Sequence, residues 1–139
     1  MRESLEFTVY MKPEPQGSAR AFVKNGKAII TSANKKLRPF RSELTRMALA
    51  ELGERAQPLL PKGIPVSIAL RFCFARPASV SPKRSYPVVK PDADKLIRAV
   101  LDSLTGVAFH DDAQVVDISA KKVYGSVDSV TVSVMGWAS

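Results

Sequence analysis

The feature that most constrains the fold is a run of ten residues that is apolar almost throughout, Val66–Ala75. A strand exposed to solvent on one face usually alternates apolar and polar residues, whereas a strand inside a sheet is apolar nearly throughout. We therefore expect Val66–Ala75 to be a central strand, around which the other elements assemble.

Further segments are rich in β-forming residues and are predicted as strands. They are Leu5–Met11, Arg20–Lys24, Lys27–Thr31, Ala113–Tyr124 and Val127–Met135. Asn25-Gly26 separates the second and third, and both residues tolerate a positive φ, which predicts a hairpin. Gly125-Ser126 separates the last two, and we expect a second hairpin turn there.

Two segments show helical spacing of apolar residues, and we predict helices over Ser32–Glu54 and Asp92–Thr105. Ser32 or Asn34 would cap the first. Pro39 interrupts its pattern, so the regular part could instead begin there, with the proline in the first turn. Gly106 would be the C-cap of the second helix. The apolar stripes are Phe40, Leu44, Met47, Ala48 and Leu52, and then Ile97, Val100, Leu101 and Leu104. The order predicts one α+β domain over residues 1–139, a mixed sheet of about five to six strands packed with two main helices.

The chain is basic: Lys and Arg number 21 against 13 Asp and Glu, a formal charge of +8. Such an excess favours a polyanion such as nucleic acid as partner. The single cysteine, Cys73, excludes an internal disulfide, fits a reducing compartment and is expected to be a buried hydrophobe. With no secretory core and no apolar run near the ~20 residues that span a bilayer, we expect a cytoplasmic protein without membrane contact.

The positive charge is concentrated in two regions. Residues 1–46 hold ten Lys and Arg against four Asp and Glu, so the first helix presents either a solvated face or a groove for phosphates. The segment Arg76–Pro91 holds four prolines and four basic residues and is predicted to be irregular. It leads directly to an acidic segment, so it is either a ligand-contacting loop or a plain surface loop.

The acidic residues that stand out are Asp92, Asp94 and the pair Asp111-Asp112. Mg²⁺ prefers carboxylate oxygens, and nucleases use it to activate water and to offset phosphate charge. Equally, Asp92 could cap the helix, Asp94 could complement its dipole, and Asp111-Asp112 could be a solvated turn. The residue types alone leave the metal site and these structural roles both open.

The longer string carries a family resemblance. Residues 90–106 read KPDADKLIRAVLDSLTG, and DDAQVV follows at residues 111–116. This closely resembles the RusA family of Holliday junction resolvases, with its pattern Lys-Pro-Asp-x-Asp-Asn-Leu-x-Lys, then Asp-x-Leu, then Asp-Asp-x-Gln-[Val/Ile]. The earlier pattern Lys12-Pro13-x-Pro15-x-Gly17-x-x-Arg20 is similar to the N-terminal segment of phage-type members.

The resemblance implies a homodimeric endonuclease that depends on Mg²⁺, with Mn²⁺ as a substitute, and nicks two opposed strands of a four-way DNA junction. Asp92, Asp94 and Asp112 match the catalytic, metal-binding aspartates, and Asp111 matches an acidic neighbour of less certain role. Arg98 stands where the family has a functional lysine, and we expect it to stabilise phosphate charge. Lys95 stands where the family has asparagine.

Candidate DNA contacts are the basic residues near these motifs: Arg20, Lys35, Lys36, Arg38, Lys83, Arg84, Lys90 and Lys95. The only histidine, His110, is either a proton shuttle or a solvated turn residue. Two alternatives to a resolvase remain open: a non-catalytic DNA-junction binding protein, which Lys95 and Arg98 favour, and a general Mg²⁺ nuclease acting on flaps or RNA.

Overall fold

The computed structural model describes residues 2–17, 19–32 and 34–137. The strands are β1 (Arg2–Val9), β2 (Ala19–Lys24), β3 (Lys27–Ser32), β4 (Val66–Ala75), β5 (Val115–Gly125) and β6 (Ser129–Trp137). The helices are α1 (Leu37–Leu52) and α2 (Ala93–Leu104), with a short 3₁₀ helix at Asp112–Gln114. The predicted α+β class with two main helices is confirmed; of the predicted domain 1–139, Met1, Ser18, Ala33, Ala138 and Ser139 lie outside the described residues.

Strand β4 is central, as its composition predicted. The main sheet has the order β1-β6-β4-β5, in which β4 pairs antiparallel with β6 and parallel with β5. Alternate residues of β4 from Val66 to Phe74 are buried, and Phe72 is fully enclosed. Cys73 is also buried, as predicted.

The predicted hairpin between the last two strands is wrong, because β4 lies between β5 and β6. The connection from Gly125 to Ser129 crosses the end of β4, where Asp128 Oδ1 accepts a 2.8 Å hydrogen bond from Ala75 N. A parallel pair needs a long crossover, and α2 supplies it between β4 and β5. Short spacing along the chain therefore does not identify neighbours in this sheet.

The first predicted hairpin is confirmed. Strands β2 and β3 pair antiparallel, and the turn residues Asn25 and Gly26 have φ of 51° and 75°. The pair forms a separate sheet of two strands, so the six strands divide into sheets of four and two. The mixed sheet therefore has fewer strands than the five to six expected.

Helix α1 begins five residues later than predicted, because Ser32 is the last residue of β3. The N-cap position is Lys36, which makes no side-chain capping bond, so the predicted capping by Ser32 or Asn34 is wrong. Asn34 instead forms a turn before the helix, where its Oδ1 accepts a 3.0 Å bond from Lys36 N. Pro39 lies in the first turn, as predicted.

Helix α2 closely follows its predicted span. Asp92 is its N-cap residue and Thr105 its C-cap, so Gly106, the predicted C-cap, follows one residue later with a φ of 89°. Both helices pack their apolar stripes on the main sheet, with Phe40, Leu44, Leu96 and Val100 fully buried in the core. Within the described ranges, neither helix has the length and apolar character needed to cross a membrane.

The segment that follows each helix is anchored by buried side chains and by a backbone hydrogen bond between the two segments. Leu60 and Phe109 are both fully buried, and Leu60 N donates a 2.9 Å hydrogen bond to Ala108 O. The chain after α2 is thereby held against the segment after α1. This contact sets the position at which the chain re-emerges at Asp111-Asp112.

Gly136 on β6 should be one of the least tolerant positions in the fold. A Cβ there would lie 2.8 Å from Cδ1 of the fully buried Leu60 and 3.0 Å from the backbone oxygen of Pro65, both closer than ordinary packing distances. We expect Gly136→Ala to lower the free energy of unfolding by about 1–3 kcal/mol, measured by urea denaturation. Gly17→Ala is the control, since a Cβ at Gly17 meets nothing within 4 Å. Equal stability of the two variants would contradict the described packing.

Candidate active site

Asp92 occupies the N-cap position of α2 but does not cap the helix with its side chain. Only its backbone takes part, with Asp92 O accepting a 3.2 Å bond from Leu96 N. The side chain is 52% exposed and forms an ion pair with Lys95, whose Nζ lies 3.7 Å from Oδ2. An exposed pair of this kind contributes little stability, so the carboxylate is free to bind a ligand.

Lys122 on β5 holds the segment that leads into Asp92. Its Nζ donates hydrogen bonds of 2.7 Å to Val89 O and 2.8 Å to Pro91 O. Sequence reasoning missed this residue, because a lysine in a strand carries no signal that it binds backbone more than 30 residues earlier in the chain. The site's first aspartate is therefore positioned from the neighbouring edge strand.

The N-terminal motif forms the opposite wall of a cleft at this segment. Gln16 N donates a 3.0 Å bond to Lys95 O, and Asn34 Nδ2 donates 3.1 Å bonds to Glu14 Oε2 and Pro15 O. The residues that line the cleft are Lys12, Pro13, Glu14, Pro15, Asn34, Lys90, Pro91, Asp92 and Lys95. The structure thus brings the N-terminal motif and the motif at the start of α2 to the same cleft. The sequence resemblance identified both motifs but did not show that they are in contact.

One exposed side of α2 carries alternating charges. Asp94, Arg98 and Asp102 follow at intervals of four residues and so lie on one side of the helix. Asp94 and Arg98 are exposed, whereas Asp102 is half-buried beside α1. Arg98 therefore lies one helical turn after Asp94.

The pair Asp111-Asp112 is not a simple solvated turn, because Asp111 caps the 3₁₀ helix. Asp111 Oδ1 accepts a 3.0 Å bond from Ala113 N, and Gln114 Oε1 accepts a 2.8 Å bond from Asp111 N. Gln114 Nε2 in turn donates to Pro61 O at 2.8 Å and to Ile64 O at 3.0 Å. Gln114 was not a predicted site residue, yet it fixes the position of Asp112. His110 is exposed beside them.

The two carboxyl groups of the pair differ in acidity. The hydrogen bond from Ala113 N, followed by one shared with Asp112, lowers the pKa of Asp111. Partial desolvation raises the pKa of Asp112, and so do the hydrogen bond with Asp111 and the negative charges of Asp111 and Asp102. The negative charge of Asp102, which was not among the predicted site residues, therefore acts on Asp112.

The acidic residues lie at two places along α2. Across residues 2–17, 19–32 and 34–137, no three carboxylate, histidine or cysteine side chains form a group arranged to hold a metal ion. Asp92 and Asp94 lie at the N-terminal end of the helix, whereas Asp112 interacts electrostatically with Asp102, which lies about 12 Å further along the helix axis than Asp94. The chemistry of the donors, all carboxylate oxygens, suits Mg²⁺. The three-aspartate metal site stays a prediction.

The predicted DNA contacts fall into two regions of the surface. Lys35, Lys36 and Arg38 are exposed at the start of α1, where Arg38 lines a groove between the two helices. Lys90 and Lys95 line the cleft at Asp92, whereas Lys83 and Arg84 are exposed in the irregular segment before it. Arg20 lies on β2, and its side chain is outside the described part of the structure.

The irregular segment Arg76–Pro91 contacts Lys122 and Tyr124, near the end of β5. Tyr124 N donates a 2.9 Å bond to Ser85 O, and Arg76 Nη2 donates a 2.9 Å bond to Arg84 O. Its side chains Tyr86, Val88 and Val89 are nonetheless 59%, 80% and 60% exposed. The backbone of the segment is held at these points while its side chains remain available for contact.

Comparison with known proteins adds two findings. The chain matches the family described as "Endodeoxyribonuclease RusA" over residues 12–135. It is also 28% identical over 142 residues to "Uncharacterized protein YqaN" of Bacillus subtilis (strain 168), an alignment covering 95% of this chain and 96% of that protein. The family match includes both the N-terminal cleft residues and the four predicted acidic residues Asp92, Asp94, Asp111 and Asp112.

The acidity of Asp112 should depend on its neighbour. Asp111→Asn keeps a side-chain oxygen for the cap but removes a negative charge, so the raised pKa of Asp112 should fall towards the ordinary value. Deprotonation of Asp112 would then be complete at a lower pH than in the unmodified protein. Carboxyl-carbon NMR titration measures this directly, with Glu6→Gln as a control that removes a distant charge. An unchanged Asp112 titration in Asp111→Asn would show that the two groups are not coupled.

Lys122 should control the order of the segment before α2. Lys122→Met removes two charge-assisted hydrogen bonds, so amide hydrogen exchange in residues 88–92 should become at least about tenfold faster. The control is Lys27→Met, which removes the same charge at the exposed tip of the β2–β3 hairpin. Exchange that rises equally in both variants, or in neither, would contradict this role.

Proposed function

Because the chain belongs to the RusA endodeoxyribonuclease family, we propose that it resolves four-way DNA junctions by paired, symmetric nicks that require Mg²⁺. Family membership makes the chain an endonuclease of the Holliday junction resolvase class. The metal requirement, the symmetry of cleavage and a role in recombination and repair are our proposal. The observation that carries it is the cleft in which the N-terminal motif faces Asp92, whose exposed carboxylate makes no capping hydrogen bond to the helix.

On the family pattern, Asp92, Asp94 and Asp112 are the residues that would hold the metal, with Mg²⁺ as the resident ion and Mn²⁺ as a substitute. Among the described residues of one chain they do not form a single group, so the assignment rests on the pattern and on the chemistry of the donors. The ion, when bound, supplies a positive charge against the scissile phosphate and activates the attacking water. The hydrogen bonding of Asp92 supports this assignment. The side chain of an ordinary N-cap aspartate accepts hydrogen bonds from backbone N–H groups of the helix, whereas that of Asp92 does not. Asp94 and Asp112 are likewise exposed.

The electrostatics of Asp112 fit a site that attracts a cation. Its pKa is raised, in part because Asp111 and Asp102 place negative charge around it. A bound cation would relieve this repulsion and favour the deprotonated carboxylate. Metal affinity should consequently weaken as the pH falls through the raised pKa of Asp112.

Basic residues beside the aspartates are proposed to bind and orient the DNA backbone. Arg98, one helical turn after Asp94, would stabilise charge on the phosphate. Its planar guanidinium can contact two phosphate oxygens at once, which the point-like ammonium of the family's lysine does not. Lys90 and Lys95 line the cleft, and the exposed start of α1 extends the positive surface. Two opposed nicks require two such sites, which a C₂ dimer supplies.

One contact favours a second candidate function, a junction-binding protein that cuts poorly or not at all. Lys95 Nζ lies 3.7 Å from Asp92 Oδ2, so a side-chain cation already lies beside a proposed metal ligand. The two functions differ in their products. A resolvase with Mg²⁺ releases nicked duplexes from a labelled four-way junction, whereas the alternative binds the junction and leaves it intact.

Asp94→Asn should separate binding from cleavage. It removes one proposed metal ligand while keeping the size of the side chain, so we expect cleavage of a four-way junction to fall at least about 100-fold. Junction binding, measured by gel shift without metal, should stay within about threefold of the unmodified protein. Glu6→Gln, a charge removal on the exposed face of β1, should leave both unchanged.

Linear duplex and single strand, each with and without Mg²⁺, complete the assay. Paired symmetric nicks confined to the junction support the proposal. Equal cutting of all substrates would indicate a general nuclease, and a loss of both binding and folding in Asp94→Asn would make Asp94 a structural residue.

A further inference from the structure

The outer edge of β5 is open along a short, well-defined stretch. In the described part of the chain, β5 pairs with β4 alone and forms the end of the main sheet. At its start, Val116 is the extra residue of a β-bulge, because Val66 pairs with Val115 and Ser67 pairs with Asp117. At its far end, Lys122 and Tyr124 bind the irregular segment through Val89, Pro91 and Ser85. The regular strand left between these limits is Asp117–Lys121.

An open strand edge offers backbone N–H and C=O groups that can pair with another strand. Strand β5 contains no proline, and Val116 and Ile118 are 72% and 44% exposed. The exposed apolar area lies beside the open stretch Asp117–Lys121. This combination is typical of a strand that is completed by a partner.

We propose that a second copy of this chain covers this edge, with the two β5 strands antiparallel and a two-fold axis at Ser119. The two sheets would then join into one continuous sheet across the dimer. The inference deepens the proposed function, because it gives an interface to the dimer that two opposed nicks require. Ser119 is the middle residue of Asp117–Lys121. With the axis there, the open stretch of one copy pairs along its whole length with the open stretch of the other.

The charges on β5 favour this register. With Ser119 on the axis, Asp117 of each copy lies directly opposite Lys121 of the other, which forms two favourable cross-strand pairs. A two-fold axis at Asp117 or at Lys121 would place like charges opposite each other. An axis at Ile118 would place Val115, beyond the bulge, opposite Lys121.

A feature within one copy points the same way. Lys121 lies opposite Arg71 of β4, and both side chains are exposed, so two positive charges are adjacent on one face of the sheet. Like charges in this position are unfavourable. Asp117 of a second copy would provide the missing counter-charge. Its Oδ2 already accepts a 2.8 Å bond from Ser67 Oγ, which orients the side chain and leaves further acceptor positions free.

Directed cross-linking tests the axis. Directly opposed residues of antiparallel strands have Cα atoms about 4.5–5.5 Å apart, within the range that a disulfide spans. Ser119→Cys should therefore give a covalent dimer in high yield under mild oxidation, read on a non-reducing gel and by mass spectrometry. Ser126→Cys, also an exposed position but outside the open stretch, should give no covalent dimer, and neither should the unmodified chain, whose Cys73 is buried.

A charge exchange tests the register. By sedimentation, Asp117→Lys and Lys121→Asp should each weaken the dimer at least about tenfold, and the double exchange should restore it. Circular dichroism establishes that each variant is folded. The proposed interface would be overturned if Ser119→Cys sedimented as a dimer but did not cross-link. It would also be overturned if the unmodified protein sedimented as a monomer. Restoration that fails in the folded double variant would overturn the register.

These outcomes are separable from those of the proposed function. Junction cleavage by a protein that dimerises elsewhere would retain the resolvase function and reject the β5 interface. A Ser119→Cys dimer that neither binds nor cuts junctions would retain the interface and reject the function.

Discussion

The parallel pairing of β4 with β5 is the constraint on which the remaining structure depends. A parallel pair cannot be joined by a tight turn, so the chain must cross the sheet between the two strands. In this protein the crossover consists of the irregular segment, α2 and the 3₁₀ helix. All three proposed metal ligands lie on that crossover, and both ends of it are anchored to the strands that require it. The site is therefore a direct consequence of the order of strands in the sheet.

Local signals in the sequence were sufficient wherever the structure is decided locally. Asn25-Gly26 specified its hairpin, and the apolar run Val66–Ala75 specified an interior strand. Non-local choices were not visible: no residue near Gly125 indicates that β5 and β6 are separated by β4. The late start of α1 has the same origin, because the residues up to Ser32 gain more from pairing with β2 than from an additional helical turn. Propensity alone cannot weigh these competing contacts.

The site divides in a similar way. Motif resemblance identified Asp92, Asp94 and Asp112, but the side chains that position them, Lys122 and Gln114, act on backbone groups far away in the chain. A hydrogen bond to a distant carbonyl leaves no trace in spacing or composition. The structure also separates the members of the Asp111-Asp112 pair, since Asp111 is committed to a cap and Asp112 is not. The family pattern matched Asp112 to a metal-binding aspartate and left the role of Asp111 less certain, and the capping bond gives Asp111 a structural role of its own.

The commitment of Lys122 to two carbonyl oxygens also changes how the protein's basic charge should be counted. The formal charge of +8 treats every lysine and arginine alike. Lys122 is bound to backbone, Arg46 is paired with Glu43, and Lys95 faces Asp92. Counterion release on DNA binding counts only cations that reach phosphates, so the salt dependence of association reflects a smaller number of charges than the composition gives. The long-range attraction of DNA thus depends on all the charged residues, whereas the number of phosphate contacts depends only on the cations that remain free to reach the DNA.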